Sequence, residues 1–434
     1  MKIRFGALAL AAAAAFGMSG FAAATEITFW HSMGGVNGDA LNYLVEEYNA
    51  KNDKGVTVKA QYQGNYDDSI NKLKSAMIGG AGPDIVQVYD IGTRLMIDSG
   101  WAVPMQDLID ADKYDVSAVE PNIAAYYTIG GKLYSMPFNS STPIMYYNKD
   151  IFEKAGMTKV PDSLEGIGEA GRDLVEKGGA GEAISLGMYG WFFEQMIGKQ
   201  GLDYANNGNG RQSAATAVAF DGNGAGLKIL EAWKELHDAG WAPNVGSGSD
   251  SGLADFSAGK SAMTLGSTAS LAQILKEVGD KFRVGTAFFP KVASNDEGGV
   301  SIGGASLWVI KKDGDDAGRQ ALVWDFIKFL ISPASQAYWN AHTGYFPITV
   351  AAHDEAVFKD NVAKYPQFMT AIDQLHASAP QYAGALLSVF PEARQIEEKE
   401  LENTMNGKKT PEQAVTDMAA GINKAISEYN LVNQ

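Results

Sequence analysis

The chain has 434 residues, a formal net charge of −16 and no cysteine. So acidic a balance argues against nucleic acid or an anionic membrane surface as partner. The absence of thiols excludes disulfides, thiolate metal sites and thiol catalysis. A hydrophobic content of 46% is that of an ordinary globular chain with a sizeable core.

The chain opens with a basic start, Lys2 and Arg4, followed by a short apolar stretch from Phe5 to Phe16 and an A-x-A pattern at Ala22 and Ala24. This predicts a secretory signal peptide over 1–24, cut after Ala24. No later stretch reaches about 18 consecutive apolar residues, and no cysteine is available for lipidation. The expectation is a soluble exported protein of the periplasm. The roughly 410 remaining residues suggest two or three domains.

"EITFW" (26–30) reads as a strand. A helix follows, with Asp39 as a possible cap and Leu41, Leu44, Val45 and Tyr48 on one stripe. "GVTVKAQY" alternates as a strand does. "DDSINKLKSAMIGG" carries Ile70, Leu73 and Met77 at helical spacing, with Gly79 and Gly80 as a stop, and "DIVQVYD" is a third strand. This β-α-β-α-β order predicts an open α/β sheet with ligands beyond the C-terminal strand ends. Those ends are polar and aromatic: Trp30, His31 and Ser32, then Tyr62, Asn65 and Tyr66, then Tyr89 and Asp90. Beyond about 150, helical segments (162–177, 191–199, 224–238, 252–258, 268–277) alternate with short strands at 261–267 and 283–290. "SIGGASLWVIKK" is a strong strand, and the last hundred or so residues read as mostly helical.

Several motifs fail on inspection. Gly259-Lys260-Ser261 lacks the upstream glycine of a nucleotide loop, since Ala254 stands there, and a helix rather than a strand precedes it. Gly222, Gly224 and Gly226 do not complete a dinucleotide fingerprint or a calcium loop. No pair among the five histidines has metal-ligand spacing. No cofactor and no metal is expected.

"FWHSM" (29–33), "YQGNYDDS" (62–69), "QVYDIGT" (87–93), "PFNSSTPIMYYNKD" (137–150), "GGASLWV" (303–309) and "TGYFPIT" (343–349) occur in this order. Together they resemble the periplasmic sn-glycerol-3-phosphate-binding proteins of ABC importers. More broadly the chain resembles the solute-binding family that includes maltose-binding protein. The resemblance implies a two-lobed α/β periplasmic binding protein (type II) with three hinge crossings near 139–142, 301–304 and 344–347. The expected lobes are 25–139 with 304–344, and 140–303 with 345–434. The expected partners are a small-molecule ligand and the transmembrane subunits of an ABC permease, and the family leads one to expect a monomer.

Residue by residue, the resemblance assigns ligand contacts to Tyr66, Asp90, Ser141, Trp191, Ser267, Gly304, Tyr345 and Arg394. Their chemistry is apt. Arg394 can grip a phosphate with two parallel bonds. The hydroxyls of Ser141, Ser267 and Tyr345 and the Gly304 N–H are neutral donors, and Asp90 accepts from glycerol hydroxyls. Each has a plainer reading too: core tyrosines for Tyr66 and Tyr345, turn or cap serines, a turn glycine, a helix cap at Asp90, packing for Trp191, and a surface salt bridge from Arg394 to Glu397 or Glu398. Asn139, Ser140 and Thr142 read as turn and hinge chemistry. Two departures bear on ligand identity. Asp90 replaces the Glu of close relatives, and Met188 or a neighbour stands where they carry a second Trp. A roomier pocket would admit a glycerophosphodiester such as glycerophosphocholine, its choline against aromatic faces. A sugar-binding protein and an exported glycerophosphodiester hydrolase are the rival functions, and the latter lacks a visible metal cluster or nucleophile.

Overall fold

The computed structural model describes residues 25–433 except 249, 313, 315 and 316. The expected signal peptide over 1–24 lies outside the described residues.

The strands are β1 (Thr25–His31), β2 (Val56–Tyr62), β3 (Ile85–Tyr89), β4 (Ala102–Val103), β5 (Thr128–Ile129), β6 (Lys132–Leu133), β7 (Met136–Ser141), β8 (Pro143–Asn148), β9 (Glu182–Ser185), β10 (Ser261–Ser267), β11 (Val284–Phe288) and β12 (Gly303–Ile310). They form two main sheets. One runs β2-β1-β3-β12-β4, with β7 also paired to β12, and the other runs β11-β8-β10-β9. Strands β5 and β6 make a small separate hairpin. Helices cover both sheets, so the molecule is the two-lobed α/β architecture expected.

The first sheet follows from side-chain pattern. In β1 the residues Ile27, Phe29 and His31 face inward while Glu26 is exposed, the alternation of a strand covered unequally on its two faces. Strand β3 is buried along its whole length, as a central strand covered on both faces requires. Each fully buried side chain such as Phe29 contributes about 1.5–3 kcal/mol. The pairs β1–β2 and β1–β3 are parallel, starting at Thr25↔Val56 and Phe29↔Ile85. The helices Gly35–Lys51 and Tyr66–Ile78 make the crossovers. Three parallel strands therefore deliver their polar C-terminal ends to one edge of the sheet.

The first helix begins at Gly35, so Asp39 sits inside it rather than capping it. The second has a stronger start than its periodicity alone announces. Asn65 accepts from the Asp68 N–H while the Asp68 carboxylate accepts from the Asn65 N–H, a reciprocal capping box.

The chain leaves the first sheet at the end of β7 and enters the second one residue later, at Pro143. Thr142 is pinned there: its N–H donates to Thr268 Oγ1 at 3.3 Å, its carbonyl accepts from the Thr268 N–H at 3.0 Å, and its hydroxyl accepts from Gln374 Nε2 at 3.0 Å. Strand β12 returns the chain to the first sheet, antiparallel to both β3 and β7, with a bulge between Ala305 and Ser306. The helices Phe390–Met405 and Pro411–Val432 pack on the second lobe. None of the described helices is long and apolar enough to cross a membrane.

Candidate functional site

The eight residues singled out in the sequence converge where the lobes meet. Ser141 pairs in register with Gly303, and Gly304 with Ser140. Phe346 N–H donates to the Ser140 carbonyl at 2.9 Å, which ties the third crossing to the first. Ser267 lies opposite Pro143 in the second sheet. The Trp191 indole packs on Gly303, where an added Cβ would come within 2.4 Å of the ring.

Gly304 has φ +88°, and a Cβ there would sit 2.0 Å from the Asn139 carbonyl oxygen. Left-handed backbone and close approach both demand glycine. The same bulged, glycine-rich start of β12 lets Trp191 reach the sheet.

Tyr66 and Tyr345 belong to one buried polar chain. Asn139 Nδ2 donates to the Tyr66 hydroxyl at 2.9 Å, and Asn139 Oδ1 accepts from Gln87 Nε2 at 2.7 Å. The Tyr345 phenol interacts with both Tyr66 and Asn139, and burial raises its pKa. Tyr66 stacks on Tyr89, with ring centroids 5.2 Å apart, and Tyr345 stacks on Trp339 at 5.4 Å. Asn139, read in sequence as turn chemistry, is thus a fully buried strand residue that organises two tyrosines.

Across the lobes, Arg394 on the helix Phe390–Met405 meets Asp90 just after β3, Nη2 to Oδ2 at 3.5 Å. The surface salt bridge to Glu397 or Glu398 is not formed. Arg394 is buried, and its close partner is Glu194, Nε to Oε1 at 2.6 Å and Nη2 to Oε2 at 3.0 Å. Its guanidinium carbon lies 5.7 Å from the centre of the Tyr189 ring. Burial pulls Arg394 toward neutrality, but Glu194 and Asp90 outweigh it and hold it charged. Burial pushes the Asp90 pKa up to about 6 against the pull of Arg394, and Glu194 adds to the rise.

Glu397 accepts no hydrogen bond from Arg394. It is fully buried, accepts from the Tyr204 hydroxyl, and its second oxygen has no protein partner. Burial raises its pKa well above the carboxylate range. Glu398 accepts from the Gly190 N–H at 3.2 Å. Gly190 has no room for a side chain, because a Cβ there would lie 2.6 Å from Glu397 Oε2 and 2.7 Å from the Arg394 Cγ.

The remaining residues divide. The Ser267 hydroxyl accepts from the Ala269 N–H at 3.2 Å, so the capping role raised from sequence is realised, with its proton left to donate. Trp191 is buried, and its indole N–H has no partner in the protein. An orphaned buried donor is costly unless something accepts from it. Sequence reasoning missed Asn139, Tyr189 and Glu194, and only the aromatic "YGWFFE" run (189–194) hinted at the last two. Among the described residues no cluster of acidic or histidine side chains is placed to hold a metal ion.

The model for bacterial extracellular solute-binding proteins matches residues 43–370. The chain is 34% identical over 430 residues to the sn-glycerol-3-phosphate-binding periplasmic protein of Pectobacterium atrosepticum, covering 96% of each chain. It is 33% identical over 416 residues to the protein of the same name from Escherichia coli K12, covering 94% of each. Its fold is similar to that of UgpB from Mycobacterium tuberculosis, solved in complex with glycerophosphocholine (TM-score 0.79, 24% identity, 94% of this chain and 99% of that one). It is also similar to the sugar-binding protein MalE of Xanthomonas citri (TM-score 0.75, 19% identity, 94% and 99%).

Proposed function

The chain belongs to the bacterial extracellular solute-binding protein family, and from that premise we propose that it is the periplasmic ligand-capturing component of an ABC importer. It takes sn-glycerol-3-phosphate or a glycerophosphodiester between its lobes and presents it to a membrane permease. The names of its relatives at a third identity support this ligand class. The role is capture rather than turnover, performed by a monomer.

One observation carries the ligand reading. A buried guanidinium on one lobe faces a buried carboxylate on the other, Arg394 and Asp90, 3.5 Å apart. That pair offers a guanidinium donor for a phosphate beside an acceptor for glycerol hydroxyls. Ser141, Ser267, Tyr345 and the Gly304 N–H supply neutral donors, and Tyr66 and Trp191 form the wall. The orphaned Trp191 N–H gains an acceptor when a ligand oxygen arrives. The lobes are 25–139 with 304–344 and 140–303 with 345–434. The crossings near 139–142, 301–304 and 344–347 act as hinges, and a ligand that touches both lobes favours the closed state.

A thermal-shift panel with glycerol-3-phosphate, glycerophosphocholine, maltose and inorganic phosphate tests the reading. A ligand at a hundred times its Kd stabilises the native state by about 2.7 kcal/mol. Stabilisation by either of the first two supports it. Stabilisation by maltose alone replaces it with a sugar binder.

A further inference from the structure

We propose that Glu194 is a specificity-determining residue that makes this site select zwitterionic glycerophosphodiesters over phosphate monoesters and over diesters that carry no cation. The inference rests on the glycerophosphate reading above and sharpens it to one ligand class.

The geometry of Arg394 is the starting point. Its Nε–Nη2 edge, the edge that best matches a carboxylate or phosphate, is occupied by the two oxygens of Glu194. Nη2 also reaches Asp90 at 3.5 Å, whereas no described residue accepts from Nη1. A ligand phosphate therefore meets the guanidinium at its free end, with Glu194 still bound along the side. Glu194 is only 12% exposed, so little water screens it from that phosphate.

The charges do not balance for an anion. One guanidinium faces the carboxylates of Asp90 and Glu194, with the Glu398 carboxyl beside Gly190 and the Glu397 carboxyl behind it. A half-buried arginine nearby, Arg211, donates to the carbonyls of Gly384, Tyr126 and Ala383 and lies over the Tyr126 ring, so it is not paired with these carboxylates. A phosphate monoester brings about −1.5 to −2 charges at neutral pH. A diester brings one. A diester with a tethered ammonium adds no net charge and returns a cation to a site that has a surplus of carboxylate. The Tyr189 ring already faces the Arg394 guanidinium, which leaves Trp191 and the stacked Tyr66–Tyr89 pair as the aromatic surface for such a cation.

The test is titration calorimetry of the full mature protein with glycerophosphocholine, glycerophosphoglycerol and glycerol-3-phosphate. Glycerophosphoglycerol carries the same diester without the cation. The wild type should bind glycerophosphocholine at least about tenfold tighter than either other ligand, the least that juxtaposed like charges cost across a buried contact. In Glu194→Gln the amide still accepts from Arg394, and the discrimination should shrink by about tenfold, mainly through tighter glycerol-3-phosphate. Glu194→Asp keeps the charge and should keep the discrimination. Equal wild-type affinity for glycerophosphoglycerol or glycerol-3-phosphate overturns the inference and leaves the glycerophosphate reading standing. So does a folded Glu194→Gln with undiminished discrimination, or a Glu194→Asp that loses it. Should Glu194→Gln fail to fold by its melting curve, the three-ligand comparison on the wild type decides. Binding of none of the three brings down the functional reading itself.

Discussion

Glu194 and Arg394 are 200 residues apart in the chain and meet through two N–H···O bonds of 2.6 and 3.0 Å. Two helices of the second lobe, Gly190–Lys199 and Phe390–Met405, supply one partner each. The fork holds the guanidinium at one orientation under the Asp90 carboxylate, so the cation is in place before any ligand arrives.

Arg394→Ala should therefore fail twice. Loss of the phosphate partner should weaken binding of a glycerophosphate ligand by about 2–5 kcal/mol, read by calorimetry. Stability should also fall by about 3–5 kcal/mol in urea unfolding, because Glu194 and Asp90 stay buried without their counter-charge. Arg394→Lys keeps the charge but not the fork, and should recover more of the stability than of the affinity.

Asp90 makes stability depend on pH in a direction opposite to that of a salt-bridged surface carboxylate. Its folded pKa is pushed up to about 6, above the usual value of 3.8, chiefly by burial. Between those values the folded protein holds a proton that the unfolded chain has released. The contribution of this group is thus fully present below the unfolded pKa and is lost as pH rises through 6. Wild type minus Asp90→Asn, compared by urea unfolding at pH 4.5 and 7.5, should fall by about 2 kcal/mol. A difference that grows with pH contradicts the assignment.

Gly304→Ala should be far more harmful than a glycine change in open space. At Gly304 a left-handed φ of +88° combines with a Cβ 2.0 Å from a backbone oxygen. The expected loss is about 2–4 kcal/mol. Gly130 has φ +58° with nothing within 4 Å of a Cβ. Gly130→Ala should cost only about 1 kcal/mol from the backbone alone. Paired melting curves check the ranking.

The two lobes are also bridged away from the site. Asp98 of the first lobe accepts from the Ser388 hydroxyl at 2.8 Å and the Tyr429 hydroxyl at 3.0 Å, both on the second. It is steadied by Arg94 at 2.8 Å. Removing both donors in Ser388→Ala/Tyr429→Phe should disfavour closure by about 1–3 kcal/mol, the range for bonds to a charged group. Small-angle scattering should then give a larger radius of gyration without ligand, restored on saturation. An unchanged radius would mean that the latch carries no weight.

Much of this protein is legible in its residues taken in order. The alternation of Val56 and Val58, the stripe of Leu41, Leu44, Val45 and Tyr48, and the polar ends of three successive strands all follow from local periodicity. Periodicity survives in sequence because each element must present one face to a core. "SAMTLGS" proves to be a strand of 261–267 with no adjustment. The first helix is misjudged at its start, since a helix that opens at Gly35 without a side-chain cap leaves no cap residue to read.

The eight candidate residues were visible as types and positions, and the chain order of six short motifs sufficed to suggest the family. Their relations were not visible. Asn139 sits in a stretch rich in turn-forming side chains, yet it is a buried strand residue because β12 lies alongside and takes up the backbone bonds. Glu194 in "YGWFFEQM" looks like the solvated face of a helix, and Arg394 looks like a partner for its near neighbours Glu397 and Glu398. Tertiary packing decided otherwise, by bringing two distant helices together, burying Arg394 and Glu397 and half-burying Glu194 and Glu398. The sequence by itself determined the main elements and the chemical groups on hand. Only the folded structure decided which charge faces which, because Coulomb energy depends on through-space distance and on exclusion of water, and neither is written in the spacing of residues along the chain.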